Sequence, residues 1–184
     1  MNNDIRLNIG SGYRRFDGFL NIDIDPSTKP DYVCDLEKDK LPFEDNTVEE
    51  IKAYHILEHI GDGYFHLFKE IYRVCKEGAI VDIQVPHHRS EIWYGDPTHV
   101  RFITVDNLRQ FSKKFNDWYL KQWNSSSGFG NMLDIDFEII EFDFIPDNIW
   151  KERFKNMPEE DIIEISRSFN NVYNELHIKL MVMK

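Results

Sequence analysis

The sequence IRLNIGSGYRRFDGFLNIDID, residues 5–25, contains two short apolar runs separated by a glycine-rich turn. The first run, Ile5 to Ile9, stops at Gly10-Ser11-Gly12, and the second, Phe19 to Asp23, stops at Asp25-Pro26. Short β-branched or aromatic runs that end at turn residues are typical of buried parallel strands. We therefore predict two strands with a glycine loop at the end of the first.

Only seven residues, 13–19, separate the glycine loop from the second strand. A right-handed crossover between parallel strands normally needs a dozen or more. The helix that would usually fill this first crossover is therefore predicted to be shortened or absent.

Strands and helices alternate through the rest of the chain. Further strands are predicted at Tyr32 to Cys34, Val48 to Ala53, Ala79 to Val85, Phe137 to Phe144 and Leu176 to Met183, the last two pairing at a sheet edge. Helices are predicted from Tyr64 to Cys75 with a stop at Lys76-Glu77-Gly78, after Thr104, and from Pro158. This order predicts an α/β fold in a single domain, residues 1–184: a Rossmann-like, doubly wound, mostly parallel seven-stranded sheet with an antiparallel edge strand.

Charge and composition exclude several classes of partner. The formal net charge of −11 opposes nucleic acid as a substrate, because nonspecific affinity for nucleic acid comes mainly from cationic contacts. No apolar run is long enough for a membrane span, and residues 1–12 lack the layout of a signal peptide. We therefore expect a soluble, cytoplasmic protein without a membrane partner. Cys34 and Cys75 lie in apolar stretches without the CxxC spacing of a redox or zinc site, so we expect both to be buried thiols.

Strand ends carry the residues that predict a nucleoside site. Glycine in the Gly10-Ser11-Gly12 turn permits close approach of a ligand, although such a tripeptide is more often an ordinary turn. Asp23 ends the next strand, where a carboxylate can accept both hydroxyls of a ribose, and Asp35 ends the third strand in the same register. An NAD site is the poorer interpretation, since the third glycine of its fingerprint is missing and the acidic residue comes too early.

Five segments in order, LNIGSG, LNIDID, CDLEKDKLPFEDNTVEEI, YHILEHI and RVCKEGAIVDIQVP, resemble the class I S-adenosylmethionine-dependent methyltransferases. The resemblance runs nearly end to end and is to the small type-11 branch similar to the ubiquinone-biosynthesis enzymes. It implies S-adenosyl-L-methionine as the cofactor. The residues it places at the cofactor are Gly10, Ser11 and Gly12 beside the methionine part, Asp23 at the ribose, Asp35 and Leu36 at adenine, and His55 and Ile56 at the border with the substrate. Tyr13 and Arg14 are expected to make contacts that the missing helix would otherwise make.

Residues 86–101, just after the fifth predicted strand, hold the densest collection of titratable side chains. Within them DPTHVRFIT resembles a segment that relatives carry over the substrate pocket. His99 or His59 is the candidate general base, with Asp96 orienting it. The alternative for each histidine is a helix cap or a partner for a buried carbonyl group. We expect no metal, since the spacing of His87, His88 and His99 with Glu58 or His59 matches no standard ligand pattern.

The predicted function is transfer of a methyl group to a small-molecule acceptor, at oxygen or nitrogen. Two alternatives stay open: a non-catalytic scaffold that keeps the adenosyl pocket, and an enzyme that cleaves S-adenosylmethionine. A homodimer is a further candidate, since the loop at residues 123–131 and the C-terminal helix offer contact surface.

Overall fold

The computed structural model describes residues 5–123 and 128–184 as one sheet with helices. The strands are β1 (Ile5–Ile9), β2 (Leu20–Asp23), β3 (Tyr32–Val33), β4 (Val48–Tyr54), β5 (Cys75–Pro86), β6 (Phe137–Pro146) and β7 (Tyr173–Val182). The α-helices are α1 (Tyr64–Val74), α2 (Glu91–Gly95), α3 (Val105–Arg109), α4 (Lys113–Trp123), α5 (Phe129–Leu133), α6 (Asn148–Phe154) and α7 (Glu159–Ser168). None of the helices in these two ranges is long and apolar enough to cross a membrane.

The seven strands form a single sheet in the order β3-β2-β1-β4-β5-β7-β6. The first five strands of the chain pair in parallel, and β7 runs antiparallel to both of its neighbours. The predicted Rossmann-like sheet, mostly parallel and seven-stranded, is confirmed. Its antiparallel strand, β7, lies one position in from the edge, which β6 occupies.

One face of the sheet packs into the hydrophobic core because alternate strand residues are apolar. Ile9, Ala53, Ile83 and Ile178 stand side by side on four neighbouring strands, and all four are buried. Helix α1 adds its apolar side to this core, where Phe68 stacks on Phe111 with ring centres 4.2 Å apart. The core therefore lies between the sheet and the helices that follow β4.

The other face of the sheet is polar. Lys52 on β4 lies 3.2 Å from Asp82 on β5, and Tyr54 donates a hydrogen bond to the same carboxylate. Phe16, from the connection between β1 and β2, packs edge-on against Tyr54. That connection contains no α-helix, and the described chain before β4 has only a single 3-10 turn, Pro26–Thr28. The predicted loss of the first crossover helix is confirmed.

Helix α1 ends earlier than the sequence predicted. Its last residue is Val74, and Cys75 is extended, with φ −69° and ψ 145°. Cys75 pairs with Val48 as the first residue of β5, because burying this thiol beside β4 favours the strand over another helical turn. Gly78, predicted as a helix stop, lies within the strand at φ +76°. Both cysteines are buried, as predicted, while the loop predicted at residues 123–131 lies in part (124–127) outside the described residues.

Candidate cofactor cavity and acceptor site

A cavity of about 170 Å³ lies at the carboxyl edge of the parallel strands. It is bounded by Gly10, Asp23, Ile24, Cys34, Asp35, Leu36, Glu37, Ile56, His59 and Ile60. These residues follow β1, β2, β3 and β4, whose carboxyl ends meet at one edge because the four strands run in parallel. The structure thus brings together Gly10, Asp23, Asp35, Leu36 and Ile56, five of the residues that the resemblance places at the cofactor.

Gly10 is required at its position by two independent constraints. Its φ of +61° belongs to the left-handed region that residues with a side chain rarely adopt. A Cβ atom there would also lie 2.4 Å from Cγ1 of Ile56, closer than any real contact. The glycine therefore lets Ile56 close down on the wall of the cavity.

The Asp23 carboxylate, at the end of β2, accepts hydrogen bonds from the loops that follow β1 and β2. Its Oδ2 accepts a hydrogen bond from the backbone N–H of Gly12 at 2.6 Å, and its Oδ1 accepts one from the N–H of Asp25 at 2.9 Å. Each carboxylate oxygen has a further lone pair available for a ligand. Ser11 lies beside this pair, and its buried hydroxyl has no hydrogen-bond partner among the described residues.

Asp35 and Leu36 also line the cavity. Leu36 is buried, whereas the Asp35 carboxylate is turned to its own loop. It accepts hydrogen bonds from the amine of Lys38 and the backbone N–H of Glu37, which lower the pKa of Asp35. Apolar walls from Leu36, Ile56 and Ile60 make this part of the cavity suited to a flat heterocycle.

His59 and His99 lie together, with ring centres 4.7 Å apart. Nδ1 of His99 lies 2.7 Å from the carbonyl oxygen of Trp93. Since a carbonyl oxygen only accepts, this Nδ1 carries the proton, and Nε2 of the neutral ring holds the lone pair. The His99 side chain is only 6% exposed, so this lone pair lies in a largely dry environment.

Asp96 reaches His59 through Thr98. The Thr98 hydroxyl donates to Oδ1 of Asp96 at 2.6 Å and lies 2.9 Å from Nδ1 of His59. Because the hydroxyl hydrogen is used on the carboxylate, Nδ1 of His59 must donate to Thr98, which again leaves Nε2 free. Hydrogen bonds from Thr98 lower the pKa of Asp96. Oδ2 of Asp96 lies 3.9 Å from Nε2 of His99.

Glu58 lies between this histidine pair and His55. Its side chain is 1% exposed, and neither carboxylate oxygen has a hydrogen-bond partner among the described residues. Nδ1 of His55 lies 3.5 Å from Glu58, and its Nε2 lies 3.5 Å from Glu175. The two carboxylates raise the pKa of His55 to about 9, and His55 in turn holds the pKa of Glu175 down at about 2.

His55 does not line the cavity, in contrast to Ile56 beside it. It has φ +56°, a strained conformation for a residue with a side chain. Tyr13 is 78% exposed and also lies outside the cavity. Arg14 lies over the rings of Phe16 and Tyr54 on the polar face of the sheet, and the contacts of Tyr13 and Arg14 with the cofactor stay a prediction.

The titratable residues predicted as one cluster at 86–101 separate into two places. His99 joins His59, whereas the His87 ring packs against His88, Phe144 and Tyr173. Burial lowers the pKa of His87 to about 4, so it is a neutral part of the packing. The sequence did not indicate Thr98 or Glu175, which reach the cluster through a turn and through the start of β7.

No protein-family profile matches the chain, and no curated protein matches it. Solved structures do match. A SAM-dependent methyltransferase from Archaeoglobus fulgidus superposes with a TM-score of 0.65 at 18% identity, over 97% of this chain and 86% of that one. The chain has the fold of the SAM-dependent methyltransferases.

Two further structures show how widely this methyltransferase fold is used. The [4+2]-cyclase SpnF matches with a TM-score of 0.58 at 14% identity, over 98% of this chain and 76% of the cyclase. A Haemonchus contortus phosphoethanolamine N-methyltransferase, solved with phosphomonomethylethanolamine and S-adenosylhomocysteine, matches with a TM-score of 0.54 at 15% identity, over 98% of this chain and 49% of the enzyme. Identities this low establish the fold, and function has to be argued from the site.

Proposed function

We propose that this chain binds S-adenosylmethionine and transfers its methyl group to a small-molecule acceptor, at oxygen or nitrogen. The observation that carries the proposal is the meeting of Gly10, Asp23, Leu36, Ile56 and His59 around one cavity at the carboxyl edge of the sheet. In folds of this type ligands bind at that edge. The A. fulgidus structure supports the same cofactor by analogy of fold.

The residues present fit the cofactor. At about 170 Å³ the cavity is smaller than the roughly 300 Å³ or more of a complete ligand site, so it encloses one part of the molecule. Leu36 and Ile56 would pack on adenine, and Asp23 would accept hydrogen bonds from the ribose hydroxyls. The unpaired hydroxyl of Ser11 is a buried polar group without an assigned partner, as expected beside a polar ligand.

Bound S-adenosylmethionine supplies a methyl group on a sulfonium, which is displaced in line. The chain's contribution is to hold the acceptor against that methyl group and to exclude water. An acceptor hydroxyl or ammonium must also lose a proton, and His59 or His99 would take it at Nε2. His59 is the better placed of the two, because it lines the cavity and is connected to Asp96 through Thr98.

The test uses S-adenosylmethionine carrying a labelled methyl group. The protein is incubated with the small-molecule fraction of a cell extract, and the label is followed by chromatography. Label in a new small molecule supports the proposal. Label that stays on intact, tightly bound cofactor indicates a non-catalytic scaffold, and label on a cofactor fragment indicates cleavage. Absence of binding to S-adenosylhomocysteine in calorimetry contradicts all three.

The cytoplasmic location and the homodimer remain parts of this proposal. A second cavity, about 730 Å³, is an open groove between α4 and the edge strand β6, away from the proposed site. It includes Phe115, Trp118 and Phe142, so a second copy has an apolar surface to meet there. Sedimentation of the purified protein over a range of concentrations measures this directly.

A further inference from the structure

Glu58, His59 and His99 form a cluster with the composition of a metal site. Each of the three offers a ligand atom within 4.8 Å of those of the other two. Two imidazoles and one carboxylate are the protein ligands of several catalytic zinc sites and of non-haem iron sites. The sequence did not predict this, because His59 and His99 are 40 residues apart and come together only through the fold.

The Glu58 carboxylate is buried without hydrogen bonds among the described residues, and this is the observation that points to a ligand. A carboxylate that is 1% exposed loses its hydration, and neither of its oxygens has a hydrogen-bond partner within residues 5–123 and 128–184. Burying a carboxylate without hydrogen bonds costs several kcal/mol. The His55 imidazole lies 3.5 Å from Glu58 and is shared with Glu175, so its charge is divided between two carboxylates. A divalent cation would bind the Glu58 oxygens directly.

The histidine rings are already arranged as metal ligands usually are. A ligating histidine generally donates its second ring N–H to a carbonyl group, a carboxylate or another polar group, which fixes the ring and its tautomer. His99 donates to the carbonyl oxygen of Trp93, and His59 donates to Thr98, which is held by Asp96. Both Nε2 lone pairs therefore remain available for an ion.

We propose that Glu58, His59 and His99 bind one divalent transition-metal ion. Zinc is the ion with which the site is tested. Ligand atoms on a tetrahedral zinc ion are roughly 3.3 Å apart, so the three groups, which lie within 4.8 Å of one another, must close by up to about 1.5 Å. Asp96 lies on the solvent side, its Oδ2 3.9 Å from Nε2 of His99, where it completes the coordination or borders an open position. Nitrogen ligands disfavour magnesium and calcium.

His59 connects this metal site to the cofactor cavity, whose wall it also forms. Binding of the ion does not depend on the proposed function, whereas its role in methyl transfer rests on it. An ion at this position lowers the pKa of a hydroxyl group that coordinates it. The two histidines would then act as ligands, and the acceptor would need no histidine base.

Calorimetry with zinc and visible absorption with cobalt test the site on protein stripped with a chelator. We expect one ion per chain with a Kd of about 1 µM or tighter. His99→Gln and Glu58→Gln should each weaken binding at least about a hundredfold, and Thr98→Val about tenfold by freeing His59. His66→Gln is the matched control, since His66 is a half-buried histidine on α1 whose Nε2 lies 2.9 Å from the carbonyl oxygen of Asp39 and which is not part of the cluster.

Urea unfolding keeps the test decisive for variants that fold poorly. Because Glu58→Gln also removes the carboxylate beside His55, the effect of zinc on each variant is measured against the unfolding midpoint of the same variant without metal. Zinc at about ten times the wild-type Kd should raise the unfolding midpoint of the wild type and of His66→Gln, and change that of Glu58→Gln very little. No zinc binding by the wild type, or equal binding by all variants, overturns the proposal. S-adenosylhomocysteine binding is measured separately, so that either proposal can fail alone.

Discussion

The backbone N–H of Gly12 donates to Oδ2 of Asp23 over 2.6 Å, so the loop after β1 is fastened to the end of β2 at the mouth of the cavity. The same carboxylate is the one that would hold the ribose. Asp23 therefore has two roles, one in the loop and one toward the ligand, and an experiment on it must separate them.

Asp23→Ala should weaken binding of S-adenosylhomocysteine by about ten- to a hundredfold, the range expected for losing hydrogen bonds to a charged acceptor. Calorimetry measures the effect. Asp25→Ala is the control, because Asp25 also accepts a backbone hydrogen bond, from Ser27, but does not line the cavity. Equal affinities in the two variants would remove Asp23 from the binding site.

Gly10→Ala should destabilise the protein by about 2–4 kcal/mol, combining the cost of positive φ with overpacking against Ile56. Gly12→Ala isolates the first cost, since Gly12 also has positive φ, +49°, and a Cβ there would meet no atom within 4 Å. We expect a loss of about 1–2 kcal/mol for it. Urea unfolding measures both.

Coupling between Gly10 and Ile56 checks the cause of that difference. In the double variant Gly10→Ala, Ile56→Gly the three Ile56 atoms that a Cβ at position 10 would meet are all removed, so the combined loss should be smaller than the sum of the two single losses. Additive losses would show that contact with Ile56 is not the reason glycine is needed at position 10.

His99→Gln should reduce methyl transfer by roughly a hundredfold and leave the affinity for S-adenosylhomocysteine unchanged, because His99 does not line the cavity. His59→Gln should lose turnover to a similar extent. His88→Gln is the comparison, since His88 packs beside His87 and away from the pair. Full turnover in both variants would mean that positioning alone drives the reaction.

His87 should make the protein less stable in mildly acidic solution. Burial holds its pKa at about 4, below the value of about 6.5 expected in the unfolded chain. The neutral ring is therefore the form that the fold accepts, and stability is complete above pH 6.5 and falls as the pH drops from 6.5 toward 4. The contribution reaches at most about 3 kcal/mol.

The measurement compares unfolding midpoints of the wild type and His87→Asn between pH 7 and 4. In the wild type, Nδ1 of His87 accepts a hydrogen bond from the backbone N–H of Arg89 at 3.3 Å. The side-chain oxygen of asparagine can accept the same hydrogen bond, and asparagine does not titrate. The difference between the two proteins should shrink or reverse as the pH falls. A constant difference would assign the acid sensitivity to other groups.

The sequence was sufficient for the sheet because its signals are local. Ile9 and Asp23 each end a short strand just before a turn, and both were correctly predicted as strand ends. Gly10, Asp23 and Ile56 lie at or just after strand ends, so their meeting at one edge could be predicted from parallel pairing alone. Cys75 was placed wrongly because the choice between helix and strand there depends on burial beside Val48, a distant partner.

The acceptor side of the site depends on contacts between segments that are far apart in the chain. Glu175 meets His55 only because β7 runs antiparallel beside β5 and begins at the carboxyl edge of the sheet. The Thr98 hydroxyl reaches His59 because the turn at 96–99 folds back over Leu57–His59, a 3-10 turn that follows β4. Neither approach leaves a periodic signal in the sequence, so His59, His99 and Asp96 could be predicted as candidates, whereas the parts of Thr98 and Glu175 and the geometry of the cluster could not.

The connection between β1 and β2 contains no α-helix. This affects how fast the backbone amide hydrogens of this part of the cavity wall exchange with solvent. Residues 10–19 are held by a few loop hydrogen bonds, whereas β4 and β5 are paired on both sides. Opening of the loop therefore requires less free energy than opening of the central strands, and its amides should exchange faster. A nucleoside bound at Asp23 would close this wall and slow the exchange, so ligand affinity includes the entropy lost in ordering the loop.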